Sequence, residues 1–575
     1  MTPSYTLRIL RGAVVGTCLF TGLSYAQTSS EPQVEKLLNA NEWRSIRQQI
    51  LASGTFLSTD EEKTLRSAAL DDQARSLPER TVLSGSMGLT DYIKPFNTDA
   101  GDLFGFSVAL SGNVLVVGAR EEDSNGLGDD GSPFSNNLMN SGAAYVFRRG
   151  PGGWQQEAYI KSPNPDASDF FGTDVAVEGN ILVVGAEEED SITAGVNGES
   201  NNLGTNVGAA YVYERIDDVW QLVAFLKAGN PDTNDFFGHE VAISGRTIVV
   251  GSLFEDTGLS GVNPEPNNSV VNAGAAYVYR EVDGVWEQEA FLKASNPERS
   301  DHFGESVSIS GDTIVVGATL EDSPASQVNG SQGNGSTNVG AAYIYARSNG
   351  EWAQQAYLKP PNPGVSDHFG TSVSISGDIV VVASQFEDGG NPNVDSNPFD
   401  NSVRSAGAAY VFDRDSNGDW DFRTYLKSPN PEVDDQFGFS VSISGDFIVV
   451  GEFGEDSVAI GPDGVGDNSV PDAGAAYVYQ IVNDDIELAS VLKSSVPGTG
   501  DMFGFNVAVS GTSIAAGANQ EDSVTNEVNG DANNNDAENS GGVFLFDSIS
   551  AFHPISGVVT GLAEGNQVTL LSNDE

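Results

Sequence analysis

The 575-residue chain has one cysteine, Cys18, four histidines, and only 27 basic residues against 81 acidic ones. A lone thiol excludes disulfides within the chain, so its stability must come from burial and strand pairing. The shortage of Lys and Arg leaves a net charge of −54. A field of that sign repels nucleic acid and anionic membrane surfaces. Beyond the N-terminal stretch no run of 18 apolar residues occurs, which excludes a helical membrane span there. Nucleophile elbow, phosphate loop, zinc-ligand spacing and dinucleotide fingerprint are all missing.

What the chain has is repetition. The phrase "FGESVSISGDTIVVGATLEDS" at residues 303–323 recurs in copies beginning at Phe104, Phe171, Phe237, Phe303, Phe369, Phe437 and Phe503, spaced by 66 to 68 residues. A fixed period of that size means one repeated unit rather than independent cores. Four strand signals recur in order: "SVSI", "TIVVGA", "GAAYVY", and a segment that follows a Trp and ends "AYLK". Trp154, Trp220, Trp286, Trp352 and Trp420 mark five of the strand-four starts.

These counts predict an all-β fold, a seven-bladed β-propeller of four-stranded antiparallel blades over residues 86–547. Strand four appears first at Tyr92-Ile93-Lys94, before the first blade, and then ends at Lys161, Lys227, Lys293, Lys359, Lys427 and Lys493. None follows the last strand three. The expectation is a ring closed by the N-terminal strand, which would leave no raw sheet edge.

The flanks differ from the repeats. Arg8 and Arg11, an apolar stretch from Gly12 to Leu23, and Ser24-Tyr25-Ala26 have the form of a secretory signal, residues 1–26, cut after Ala26. That cut would take the net charge to −56 and implies a secreted or cell-surface protein. Acylation at Cys18 is disfavoured by Thr17 before it. Residues 27–85 carry Val34, Leu37, Leu38, Ile46 and Ile50 at helical spacing and a Ser58 or Thr59 cap, which predicts a helical N-terminal segment. Residues 548–575 form a tail or the truncated start of a β-sandwich domain.

With "FG" opening strand one and "VVGA" closing strand two in most copies, the chain resembles the FG-GAP repeat family, best known from the propeller of integrin α subunits. Secreted bacterial proteins of this type are the nearest likeness. Two departures limit what the resemblance implies. The family's Pro after "GA" is absent, with Arg120, Glu187, Leu253, Thr319, Gln385, Phe453 and Asn519 at or near that place. The integrin calcium loop between strands one and two is also missing, because that hairpin is only Ser-Gly-Asp or a close variant.

Loops on a rigid scaffold are where binding usually resides. The two-to-three loops, 21 or 22 residues long, and the nine-residue four-to-one loops share one face. Each copy there has an Asp two residues before the Phe-Gly (Asp102, Asp169, Asp235, Asp301, Asp367, Asp435, Asp501). A Glu-Asp pair, such as Glu321-Asp322, follows 18 and 19 residues after the Phe. Such oxygens suit Ca2+. A Lys at the same end of each blade would neutralise them without metal, and Asp before a turn bonds backbone N–H groups; the second reading is favoured.

A separate metal candidate is "DRDSNGDWD", with Asp413, Asp415, Asn417, Asp419 and Asp421 at EF-hand-like spacing. Thr424 stands where the closing acid is expected, and a plain Asn-Gly turn is the competing explanation. His302 and His368 stand just before "FG"; they, His239 and His553 are explained better by loop substitution than by catalysis.

The expected function is a non-catalytic, monomeric ring that presents repeated acidic loops to an extracellular protein or polysaccharide. The alternatives are a polysaccharide-active enzyme or a structural spacer.

Overall fold

A computed structural model describes residues 87–125, 132–458 and 468–548. The expected signal at 1–26, the helical segment at 27–85 and all but the first residue of the 548–575 tail lie outside the described residues. Within them the chain forms seven antiparallel sheets and no helix, a seven-bladed β-propeller; six sheets have four strands, and the third adds the two-residue Gly261–Val262 at its outer edge. The fourth sheet shows the pattern, with Phe303–Ser310, Thr313–Ala318, Ala341–Ser348 and Glu351–Leu358 hydrogen-bonded in that order. In the seventh, Phe503–Ser510, Ser513–Ala518 and Gly542–Ser548 are followed by Met87–Ile93, which runs antiparallel to Gly542–Ser548.

The first strand of each sheet lies innermost and touches the first strands of its two neighbours. Second strands such as Thr313–Ala318 are buried at every residue, which is why they read as continuous apolar runs rather than alternating ones. Seven apolar cores result, each shared by two adjacent sheets. One of them joins Ile93, Val543 and Leu545 of the seventh sheet to Val108, Leu115 and Tyr145 of the first. The Phe of each Phe-Gly pair is fully buried; Phe303 meets Tyr343 and Tyr345 edge-on, with ring centroids 5.3 and 6.1 Å apart.

Neighbouring blades approach backbone to backbone at one end, and glycine makes this approach feasible. A Cβ on Gly317 would lie 2.1 Å from the carbonyl oxygen of Gly370, and one on Gly340 (φ +83°) 2.1 Å from that of Phe369. A Cβ on Gly370, at φ +101°, would lie 2.4 Å from the Ala341 carbonyl oxygen. The three glycines of "VVGA", "GAAY" and "FG" therefore converge at each junction, with Ala383 taking the first place at one of them.

The inner strands have an unpaired edge toward the axis, and the alternation Ser-Val-Ser-Ile-Ser supplies its partners. The N–H groups of Val441, Ile443 and Gly445 donate to the hydroxyls of Ser372, Ser374 and Ser376 of the preceding blade at 3.1 Å each. At the strand-end hairpin this bond recurs in all seven blades, with Glu178 replacing Ser once, and Gly112 donates to Ser510 across the last-to-first junction.

Gly340→Ala is expected to cost roughly 3 kcal/mol or more, because the new methyl meets backbone on both sides of a junction. Gly377→Ala, also at positive φ (+60°) but with nothing within 4 Å of its Cβ, should cost only about 1–2 kcal/mol. Chemical denaturation of the two variants checks the difference; equal losses would refute it.

Candidate functional site

The repeated carboxylates are taken up inside the protein. In every blade the strand-four Lys pairs with the Glu of the Glu-Asp pair: Lys94–Glu521, Lys161–Glu122, Lys227–Glu189, Lys293–Glu255, Lys359–Glu321 and Lys427–Glu387 at 2.7–3.2 Å, and Lys493–Glu455. Each ammonium is at most 2% exposed and commonly donates also to the glycine carbonyl that opens strand three, as Lys359 does to Gly340 at 2.6 Å. Burial pushes the pKa values of Lys293 and Lys359 down, opposed by the paired Glu255 and Glu321.

The Asp of each pair has a different partner. Its Oδ1 accepts a backbone N–H sixteen or seventeen residues on, as Asp322 does from Asn338 at 2.8 Å, and this pins the far end of the long loop. The Asp before each Phe-Gly accepts the N–H three residues earlier, as Asp301 does from Glu298 at 2.9 Å. These are turn bonds. Among the described residues no group of three or more His, Cys, Asp or Glu side chains is placed to hold a metal.

Two tyrosines complete the node. Tyr357 donates to Glu321 at 2.9 Å, while Tyr343 donates to Asn296, an amide from the neighbouring blade's loop whose nitrogen reaches Glu321 at 3.0 Å. Strand-three tyrosines thus link blades by hydrogen bonds as well as by packing. The sixth blade is built differently. Glu452, where sister blades have Ala or Ser, is fully buried and accepts from Tyr477, and burial pushes its pKa well up.

The long loops are tied at two further places that the sequence analysis missed. Asn329 donates its N–H to the Tyr357 carbonyl at 2.8 Å and accepts the Tyr357 N–H on its side chain at 3.0 Å, so the loop caps the outer edge of its own blade. Asn197, Asn263 and Asn529 do the same on Phe225, Phe291 and Tyr92. The signal was a recurring Val-Asn: Val196-Asn197, Val262-Asn263, Val328-Asn329 and Val528-Asn529. Nearer the loop end, Asn136, Asn202, Asn268, Asn334 and Asn468 donate to Asp99, Asp166, Asp232, Glu298 and Glu432 of the adjoining loop. Several of these loop Asn residues, Asn197 and Asn202 among them, sit at positive φ, a conformation Asn tolerates better than most residues.

The "DRDSNGDWD" residues do not gather around one point. Asp413 and Asp421 lie opposite each other on paired strands, with Arg423 at 3.9 Å from Asp413. Asp415 closes the turn by accepting the N–H groups of Asn417 and Asp419 at 2.8 and 2.9 Å. Of the histidines, His239, His302 and His368 lie at the axial ends of the innermost strands, and His553 is outside the described residues.

Seven radially repeated four-stranded sheets define a β-propeller, and the Phe-Gly and Gly-Ala junctions narrow the class further. The chain belongs to the FG-GAP repeat family, whose model matches residues 93–147, 154–213, 220–279, 286–345, 352–412 and 420–479. Most of these matches run from the outermost strand of one sheet to the third strand of the next. No curated protein matches the chain. Among solved structures it is similar to Sqt1 of Saccharomyces cerevisiae at 10% identity and a TM-score of 0.35, over 80% of this chain and 99% of that one. A chain of a mitotic checkpoint complex is similar at 9% identity and a TM-score of 0.38, over 83% and 98%.

Two outcomes follow. Lys359→Met leaves Glu321 buried and unpaired, and should cost about 3–5 kcal/mol, while adding Glu321→Gln should recover much of it; denaturation midpoints of the single and double variants decide. The Asp residues before Phe-Gly are pushed up by burial, Asp235 to about 8, Asp301 to about 7 and Asp501 to about 6. An acid raised in the folded state holds its proton more tightly there than when unfolded. Its stabilising contribution is therefore present at low pH and lost as pH rises through the folded value. Tm should fall from pH 5 to pH 9, and Asp235→Asn, which keeps the acceptor oxygen, should make that fall shallower.

Proposed function

We propose that this chain is an exported, non-catalytic binding module whose working surface is the long-loop face, with an extracellular protein or polysaccharide as partner. The observation that carries this reading is the anchoring of the loops. Several are held at the base by the Lys–Glu node, at the middle by the Asn edge cap and near the end by the clasp to the next blade. Residues held before contact lose little freedom on binding, which favours affinity. Between the anchors the loops expose apolar side chains, with Phe134 69% and Leu203 76% exposed. Repetition around a ring adds avidity when a partner spans several blades. The leader-like N-terminus supports export.

The test is retention of the protein on insoluble polysaccharides and on immobilised cell-envelope extract. Phe134→Ser with Leu203→Ser should lower retention about tenfold with Tm unchanged. Undiminished retention would overturn the assignment of binding to the loop rim.

A further inference from the structure

Outside the long loops the blades vary most visibly at three places: the residue before Phe-Gly, the residue after it, and the residue that follows strand two. The fold brings these together. Phe-Gly opens the innermost strand at the end where strand two finishes, so all three places surround the axis at its mouth on the long-loop face.

One side of the mouth is aromatic. Phe505 meets Phe106 and Phe439 with centroids 5.2 and 4.8 Å apart, and Phe453 stands 4.7 Å from Phe439. These rings are only half-buried, unlike the Phe of each Phe-Gly pair. The other side is charged and paired except at Glu240, which shares the space with Asp174, Glu305 and Glu187 and whose pKa is pushed well up by burial and by these carboxylates. Arg120 lies 4.7 Å from the Phe106 ring centroid and reaches Glu187 at 3.0 Å; His239 Nδ1 meets the other oxygen of Glu187 at 2.6 Å. Burial would raise Glu187, but His239 and Arg120 outweigh it and hold its pKa near 2. Glu305 is engaged by His302 at 3.5 Å and by the Thr319 hydroxyl.

In a chain of net charge −54, this mouth is a place of near-balanced charge. An anion meets no unpaired cation there, and a cation meets carboxylates already bonded or, at Glu240, held toward the uncharged form by burial. Polar capacity remains: Asn519, 2% exposed, keeps its Oδ1 without a hydrogen-bond partner, and so does Gln385 with its Oε1. Both follow strand two, the place from which Arg120 and Glu187 face the mouth. Buried acceptors without donors call for a hydroxyl or water.

We propose that the axial mouth binds a neutral saccharide end, with the sugar's C–H face on the Phe106–Phe505–Phe439 platform and its hydroxyls turned toward the amide side. This combination of apolar faces and a few oriented polar groups is the general make-up of a small-ligand site. The proposal rests on the long-loop face being the binding face, and adds the ligand class and its seat.

The test uses the whole protein with cellohexaose, maltohexaose, laminarihexaose and xylohexaose, with tetralysine and a sulfated oligosaccharide alongside, read by saturation-transfer NMR and calorimetry. At least one neutral hexaose should bind below about 10 mM. Phe505→Ala and Gln385→Ala should each weaken it by about tenfold, with melting curves confirming the fold. Val285→Ser, exposed at a three-to-four hairpin away from the long-loop face, should leave it unchanged. Binding of tetralysine or the sulfated sugar alone, or of no probe, would overturn the proposal. Hexaose binding lost in Leu203→Ser but kept in Phe505→Ala would also overturn it, while leaving the loop-rim reading intact.

Discussion

Seven sheets close into a ring only if their inner ends approach within backbone contact, and that approach sets most of the repeat. Two peptide planes pass where a Cβ on Gly317 or Gly340 would sit about 2 Å from a carbonyl oxygen. The chain answers with three glycines per junction, two of them at positive φ, where an L side chain is strained whatever the room. The same proximity offers a solution for the inner strand edge. A serine on one blade lies within reach of an N–H on the next, so the edge is satisfied without a further strand. The alternation Ser-Val-Ser-Ile-Ser thus has both its faces assigned, apolar residues to the inter-blade core and hydroxyls to the neighbour's backbone.

The buried Lys–Glu pair settles a second constraint. Removing two charges from water is costly, and the pair persists only with good geometry and further hydrogen bonds. Both conditions are met: the ammonium also reaches a backbone carbonyl or a serine, and the carboxylate accepts from a tyrosine or a neighbouring asparagine. The node ties strand four to the start of strand three and to the loop of the adjacent blade. That linkage accounts for a carboxylate at the same place in seven copies without invoking a ligand for it.

Blade number and strand order were legible because they follow from a period and an alternation, which are properties of the chain itself. The carboxylate positions were legible too, but the partners of the Glu-Asp pairs lie sixteen to forty residues away, or 427 across the ring closure, and only the fold shows that Asp322 meets a backbone N–H rather than a cation. In the sequence the long loops read as acidic surface. Their asparagines instead do local work, since an amide can both accept and donate along a strand edge and tolerates positive φ. The Val-Asn recurrence that marks the edge caps was present in the sequence, yet nothing in a dipeptide says which strand it will meet. At Asp413 to Asp421 the spacing suggested a loop around an ion or a plain Asn-Gly turn; in the structure Asp413 and Asp421 are partners across paired strands, and Asp415 accepts turn N–H groups.

Where a repeat is held by contacts between copies, any position touching a neighbour is constrained seven times over. Freedom to vary survives where side chains leave the sheet stack. The long-loop tips are one such region, but there each blade varies in its own patch of solvent. At the axis seven variable positions share one small volume, so dissimilar residues from different blades become neighbours, as Arg120, Glu187 and His239 do across three consecutive blades. A uniform ring could present only seven equal groups to its centre. Departures from uniformity there create a place in the fold where a single small asymmetric ligand meets several blades at once, and this physical reason, rather than any residue taken alone, makes the mouth different from the rim.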